Sequence, residues 1–74
     1  MMNKEEFWEF VNGGGRVYTY DDRIDFYCAF TEKGYDAGLV STEETSIYKD
    51  YDDLLNRFMI DGKPLIDCLD KIDC

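Results

Sequence analysis

The spacing of apolar and polar residues changes period along the chain and divides it into elements. Asn3, with Glu6 three positions later, has the pattern of a helix N-cap with its capping box. Phe7, Trp8, Phe10 and Val11 give the apolar face of that helix, and Glu5 and Glu6 suit the positive end of its dipole. Asn12 and Gly13-Gly14-Gly15 end it. This glycine run follows a helix and lacks the Lys-Ser/Thr of a phosphate-binding loop, so it reads as a linker.

Arg16 to Tyr20 and Arg23 to Thr31 are rich in β-branched and aromatic residues and predict two strands. A two-residue turn at Asp21-Asp22 joins them and sets a register with Thr19 facing Ile24 and Val17 facing Phe26. With Cys28 and Phe30 these residues form the expected core face. Arg16, Tyr18, Tyr20, Arg23, Asp25 and Tyr27 then line the opposite face. A third strand is expected over 37–42, after a turn at Glu32-Lys33-Gly34, and a short edge strand over 45–48.

Asp50 or Asp52 caps the next helix, whose apolar face is Leu54, Leu55 and Phe58. Asp61-Gly62 marks a turn. Pro64 suits the first turn of a final helix, in which Leu65, Ile66, Cys68, Leu69 and Ile72 recur at helical spacing. The expected fold is a single α+β domain over residues 1–74, of order αβββ(β)αα: a small two-layer unit with an antiparallel sheet of three to four strands packed against two or three helices.

The chain has 74 residues, so its core is small, but aromatic side chains bury much area each. Its formal net charge of −9, from 17 acidic and 8 basic residues, disfavours direct contact with nucleic acid and with an anionic membrane surface. The same charge attracts a basic protein surface, and it also serves plain solubility. No signal segment or apolar run of membrane-spanning length stands out, and no C-x-x-C pair occurs. The expectation is a cytoplasmic protein with reduced thiols, Cys28 packed in a strand and Cys68 on a helix. Cys74 is open to oxidation in vitro.

Candidate chemistry is sparse. Histidine is absent, which removes the commonest general base and every imidazole-dependent triad. Asp50-Tyr51-Asp52-Asp53 has the look of the start of an EF-hand loop, but Leu55 and Asp61 stand where glycine and glutamate are needed. Helix capping accounts for these acids without an ion. The cysteines lack zinc-site spacing. Neither a catalytic group, a cofactor nor a metal is expected.

Two surface features carry the functional expectation. Asp67, Asp70 and Asp73 fall three apart and make an acidic stripe on the expected final helix. Tyr18, Tyr20 and Tyr27 make an aromatic sheet face, a residue type enriched in binding hot spots. In size and charge the chain resembles small acidic proteins of bacteria and their phages, some of which inhibit nucleases by imitating DNA. That resemblance rests on no motif and transfers no residues. It implies a non-catalytic interaction domain docking an acidic surface on a basic partner, such as a nucleic-acid-binding protein. The alternative is a structural module that associates with itself through the tyrosine face.

Overall fold

The computed structural model describes residues 3–73. It is a small α+β domain built on a five-stranded antiparallel sheet with two α-helices. Helix α1 (Lys4–Asn12) opens the chain, followed by β1 (Arg16–Tyr20), β2 (Ile24–Thr31), β3 (Gly34–Leu39) and β4 (Ser46–Tyr48). Helix α2 (Tyr51–Arg57) leads into a small hairpin, β5 (Met59–Ile60) with β6 (Lys63–Pro64). Two 3₁₀ turns, Leu65–Asp67 and Leu69–Lys71, then deliver β7 (Ile72–Asp73). The main sheet runs β4-β3-β2-β1-β7. No helix among the described residues is long and apolar enough to cross a membrane.

Local chemistry sets the helix ends. Asn3 is the cap of α1: its side chain accepts from the Glu6 amide at 2.9 Å, and Glu6 reaches back to the Asn3 amide at 3.4 Å. Asp50 caps α2 by accepting from the Asp53 amide at 2.8 Å. Asp53 in turn accepts from the Lys49 amide and pairs with Arg57 at 3.3 Å. Asp50 is therefore the cap of this helix, and Asp53 has local partners in Lys49 and Arg57.

Both helices lie on one face of the sheet. Phe7 of α1 meets Tyr18 at 5.1 Å and Phe26 at 6.5 Å between ring centroids. Beyond α2, Phe58 meets Phe26 at 5.8 Å and Tyr48 at 6.0 Å. Leu54, Leu55, Ile60 and Leu65 fill the space between, all essentially without solvent contact. Aromatic rings thus supply much of the core, as a short chain requires.

The first hairpin corrects the expected register. Tyr18 pairs with Phe26 and Tyr20 with Ile24, so the loop holds three residues, Asp21 to Arg23. Asp21 and Asp22 adopt φ of 51° and 56°, and the Arg23 amide donates to the Tyr20 carbonyl at 3.0 Å. One extra loop residue turns every β1 side chain to the other face. Tyr18 and Tyr20 enter the core at 0% and 2% exposure, whereas Val17 is 52% exposed. Two tyrosine rings bury far more apolar area than valine and threonine, at roughly 25 cal/mol per Å². That difference outweighs the unfavourable φ of two aspartates, residues that tolerate the left-handed region comparatively well. Phe26 and Cys28 are buried as expected, but Phe30 lies near the strand end and is 55% exposed.

The third strand begins earlier than expected. It takes in Tyr35, buried opposite Phe30, and stops before Val40–Thr42, which forms a 3₁₀ turn closed by Glu43 at φ 57°. Burying the Tyr35 ring fixes that register better than Val40, which stays 45% exposed.

The expected final helix is absent from the described residues. Cys68 donates its amide to the Leu65 carbonyl at 2.9 Å, and Lys71 to Cys68 at 3.0 Å, both i to i−3 bonds. Leu65, Cys68, Leu69 and Ile72 are buried nonetheless, as the spacing marks, whereas Ile66, expected on the same apolar face, is 40% exposed. A 3₁₀ path suits buried positions three apart, and it ends early enough for Ile72 and Asp73 to pair with Tyr20 and Thr19. The Asp21 amide adds a bond to the Lys71 carbonyl at 2.8 Å. Sheet hydrogen bonds along β1 replace those a longer helix would have made.

Candidate protein-interaction surface

The helices leave the other face of the sheet uncovered, a common state for antiparallel sheets. Cross-strand pairing gives its composition. Val17 and Thr19 point outward from β1, and Asp25, Tyr27 and Ala29 from β2, although Ala29, beside Gly15, is only 5% exposed. Asp36 and Gly38 follow on β3, Ile47 on β4 and Asp73 on β7. Tyr27 lies at the centre. Its phenol reaches the space beside Gly15, where an added Cβ would also sit 3.0 Å from the Ala29 methyl. Val17 pairs with Tyr27 at 52% exposure, and Ile47 stands on the edge strand beside Asp36 at 50% exposure.

Carboxylates stand among these apolar groups. Thr19 donates to Asp25 at 2.8 Å and faces Asp73 across β1 and β7, so Asp25, Thr19 and Asp73 form one row over three strands. Asp36 lies between Ala29 and Ile47. Among the described residues, no lysine or arginine shares the outward positions of this sheet. Basic side chains sit elsewhere: Arg23 pairs with Asp61 at 3.1 Å and Asp21 at 3.5 Å, and Arg16 stacks 5.2 Å over the Phe10 ring. The loop after β3 borders the face, because the Glu44 backbone passes where a Gly38 side chain would be.

The sequence-derived site residues are dispersed by this geometry. Tyr27 and Asp73 reach the open face. Tyr18 and Tyr20 are core residues, so a face of three tyrosines does not form; Lys63 donates to the Tyr20 phenol at 3.4 Å at the edge of the core. Asp67 and Asp70 are exposed on the 3₁₀ turns, and Asp73 stands on a strand. The α-helical stripe expected of these three acids is therefore not built. Val17, Ile47 and Asp36 were not expected on a surface of this kind. Val17 alternates with two tyrosines, and comparing their bulk is the signal that separates its face from theirs.

The thiols have a structural setting. Burial first, and the nearby Asp36 charge second, push the Cys28 thiol from 9.0 up to about 12. Burial also raises Cys68, whose Sγ approaches the Pro64 carbonyl at 3.5 Å. Cys74 lies outside the described residues. Because the folded pKa of Cys28 exceeds the unfolded one, its contribution to stability is complete below pH 9.0 and declines as pH rises toward about 12. Urea unfolding at pH 8 and 10.5 should therefore show a loss of stability that is smaller in Cys28→Ala. Equal losses in both proteins would remove Cys28 as the cause.

Compared with protein-family models, curated proteins and solved structures, the chain shows no match.

Proposed function

We propose that this chain is a non-catalytic interaction domain whose open sheet face docks on a basic surface of a partner protein. The observation that carries the reading is the composition of that face: Tyr27, Val17 and Ile47 set among Asp25, Asp36 and Asp73 without a cation among its outward positions. Exposed aromatic and apolar groups set among charged ones suit a transient interface. Carboxylates on this face raise the encounter rate with a basic partner and repel acidic ones. Proteins that bind nucleic acid carry such basic patches, and a competitor for that patch acts as an inhibitor or DNA mimic. The reducing cytoplasm is the proposed setting. The absence of histidine and the raised Cys28 thiol support a binding role over a catalytic one. Two copies meeting through this face would oppose their own carboxylates, which favours a foreign partner over self-association.

Affinity capture from a bacterial lysate tests the reading. Basic proteins retained at low salt should be released by moderate salt and by duplex DNA. The triple variant Asp25→Asn, Asp36→Asn, Asp73→Asn should lose at least about tenfold of that retention, as should Tyr27→Ala with Ile47→Ser. Asp67→Asn with Asp70→Asn, outside the face, should retain it. Equal retention by all variants would reject the face as the docking surface.

A further inference from the structure

A second feature lies in the helical layer, away from the open face. Glu5, Trp8 and Glu9 project from one side of α1, at the i, i+3 and i+4 spacing that brings side chains together. Tyr51, the first residue of α2, stands across from them. Between these groups and Lys4 runs an open groove of about 250 Å³. Tyr51 is held in place: its phenol donates to the Lys4 carbonyl, and its ring packs on Tyr35 at 5.7 Å. Asn12 ties the same region together by donating to the Trp8 carbonyl at 2.8 Å and to the Tyr35 phenol at 3.3 Å. Trp8 is 46% exposed although Phe7 and Val11, on the adjoining side of its helix, are wholly buried. An indole left half in water beside a fixed tyrosine is an available aromatic wall.

We infer that this groove receives an arginine side chain of a partner protein, with its guanidinium against the Trp8 indole and its charge facing Glu5 and Glu9. Three properties select that occupant. Ligand pockets for whole small molecules span roughly 300–1,000 Å³, so a groove below that range suits one side chain. Tryptophan is the best aromatic partner for a cation, and a planar, weakly hydrated guanidinium stacks where an ammonium stays in water. Glu5 and Glu9 are exposed, and neither joins an ion pair among the described residues, so both carboxylates are available to the incoming charge. Lys4 is the opposing element. Its ammonium competes for the same carboxylates, and its removal should tighten binding.

Trp8 is the only tryptophan of the chain, so its fluorescence reports this groove and nothing else. The probe is a capped Gly-Arg-Gly peptide at constant ionic strength. The controls replace arginine by citrulline, which keeps shape without charge, and by leucine. The arginine peptide should give a saturable change and the citrulline peptide should bind about tenfold more weakly. Glu5→Gln with Glu9→Gln should weaken the arginine response several-fold, and Lys4→Gln should strengthen it, each with unchanged circular dichroism. Equal responses to arginine and citrulline, indifference to the glutamate substitutions, or no saturation would each overturn the inference. The inference stands apart from the sheet-face reading: Asp25→Asn, Asp36→Asn, Asp73→Asn should leave this titration unaltered, so either can fail alone.

Discussion

Phe26→Ala is expected to remove much of the stability of the domain. Phe26 has no solvent exposure and touches Phe7, Tyr18 and Phe58, so it joins both helical segments to the sheet. Truncating a phenylalanine in such a site costs about 3–5 kcal/mol through lost transfer energy and the cavity left behind. A domain of this length is stable by roughly 4–11 kcal/mol, at the usual value per residue. The variant should unfold at a midpoint lower by roughly 15–30 °C. Phe30→Ala in the same strand is the control. Phe30 is 55% exposed, and its loss should cost no more than about 1 kcal/mol. Thermal and urea unfolding followed by circular dichroism measures both. Similar losses for the two variants would mean that the helices do not cover the β2 face in the way described. The pair Tyr18→Ala and Val17→Ala tests the hairpin register by the same contrast.

The second large effect is expected at Gly34, where β3 begins. Its φ of 130° is a backbone conformation that residues with a side chain rarely adopt. The backbone of the neighbouring edge strand also closes over it: an added Cβ would meet the Tyr48 carbonyl oxygen, with the Tyr48 carbonyl carbon 3.2 Å away. Gly34→Ala combines backbone strain of about 1–3 kcal/mol with overpacking of about 1–3 kcal/mol. Its damage should be local, because β4 is a short edge strand. Amide exchange of Ile47 and Tyr48 should rise well before that of β1 and β2. Gly14→Ala, at φ 138° with nothing near its Cβ position, carries the strain without the clash and should cost less. If the two alanines are equally costly, the close approach of β4 contributes nothing and strain alone explains the glycine.

The two sites were legible to different degrees. Charge alone gives the preference for a basic partner. Where the carboxylates stand is another matter, because Asp25, Asp36 and Asp73 lie on three different strands and only pairing brings them to one face. Trp8 and Tyr51 are 43 positions apart, and the groove between them depends on where α2 docks on α1. Spacing along one element cannot reveal such a site: it placed Trp8 on the apolar face of α1 with Phe7, Phe10 and Val11, yet Trp8 is 46% exposed.

By itself the sequence determined the α+β class, the cap at Asn3, a cap at Asp50 or Asp52, the edge strand before α2 and the apolar positions of the C-terminal segment, of which all but Ile66 are buried. These follow from interactions within a few residues: a side chain bonding an amide three positions on, or a period of two or three. The tertiary structure decided the face of β1, the 3₁₀ path of residues 65–71 and the fifth strand. Each of those was a competition between arrangements of similar local energy. The two tyrosine rings of β1 settled the first by burying more area inside than Val17 and Thr19 could. The open edge of β1 settled the others, offering Ile72 and Asp73 backbone partners that no local pattern in the chain could announce.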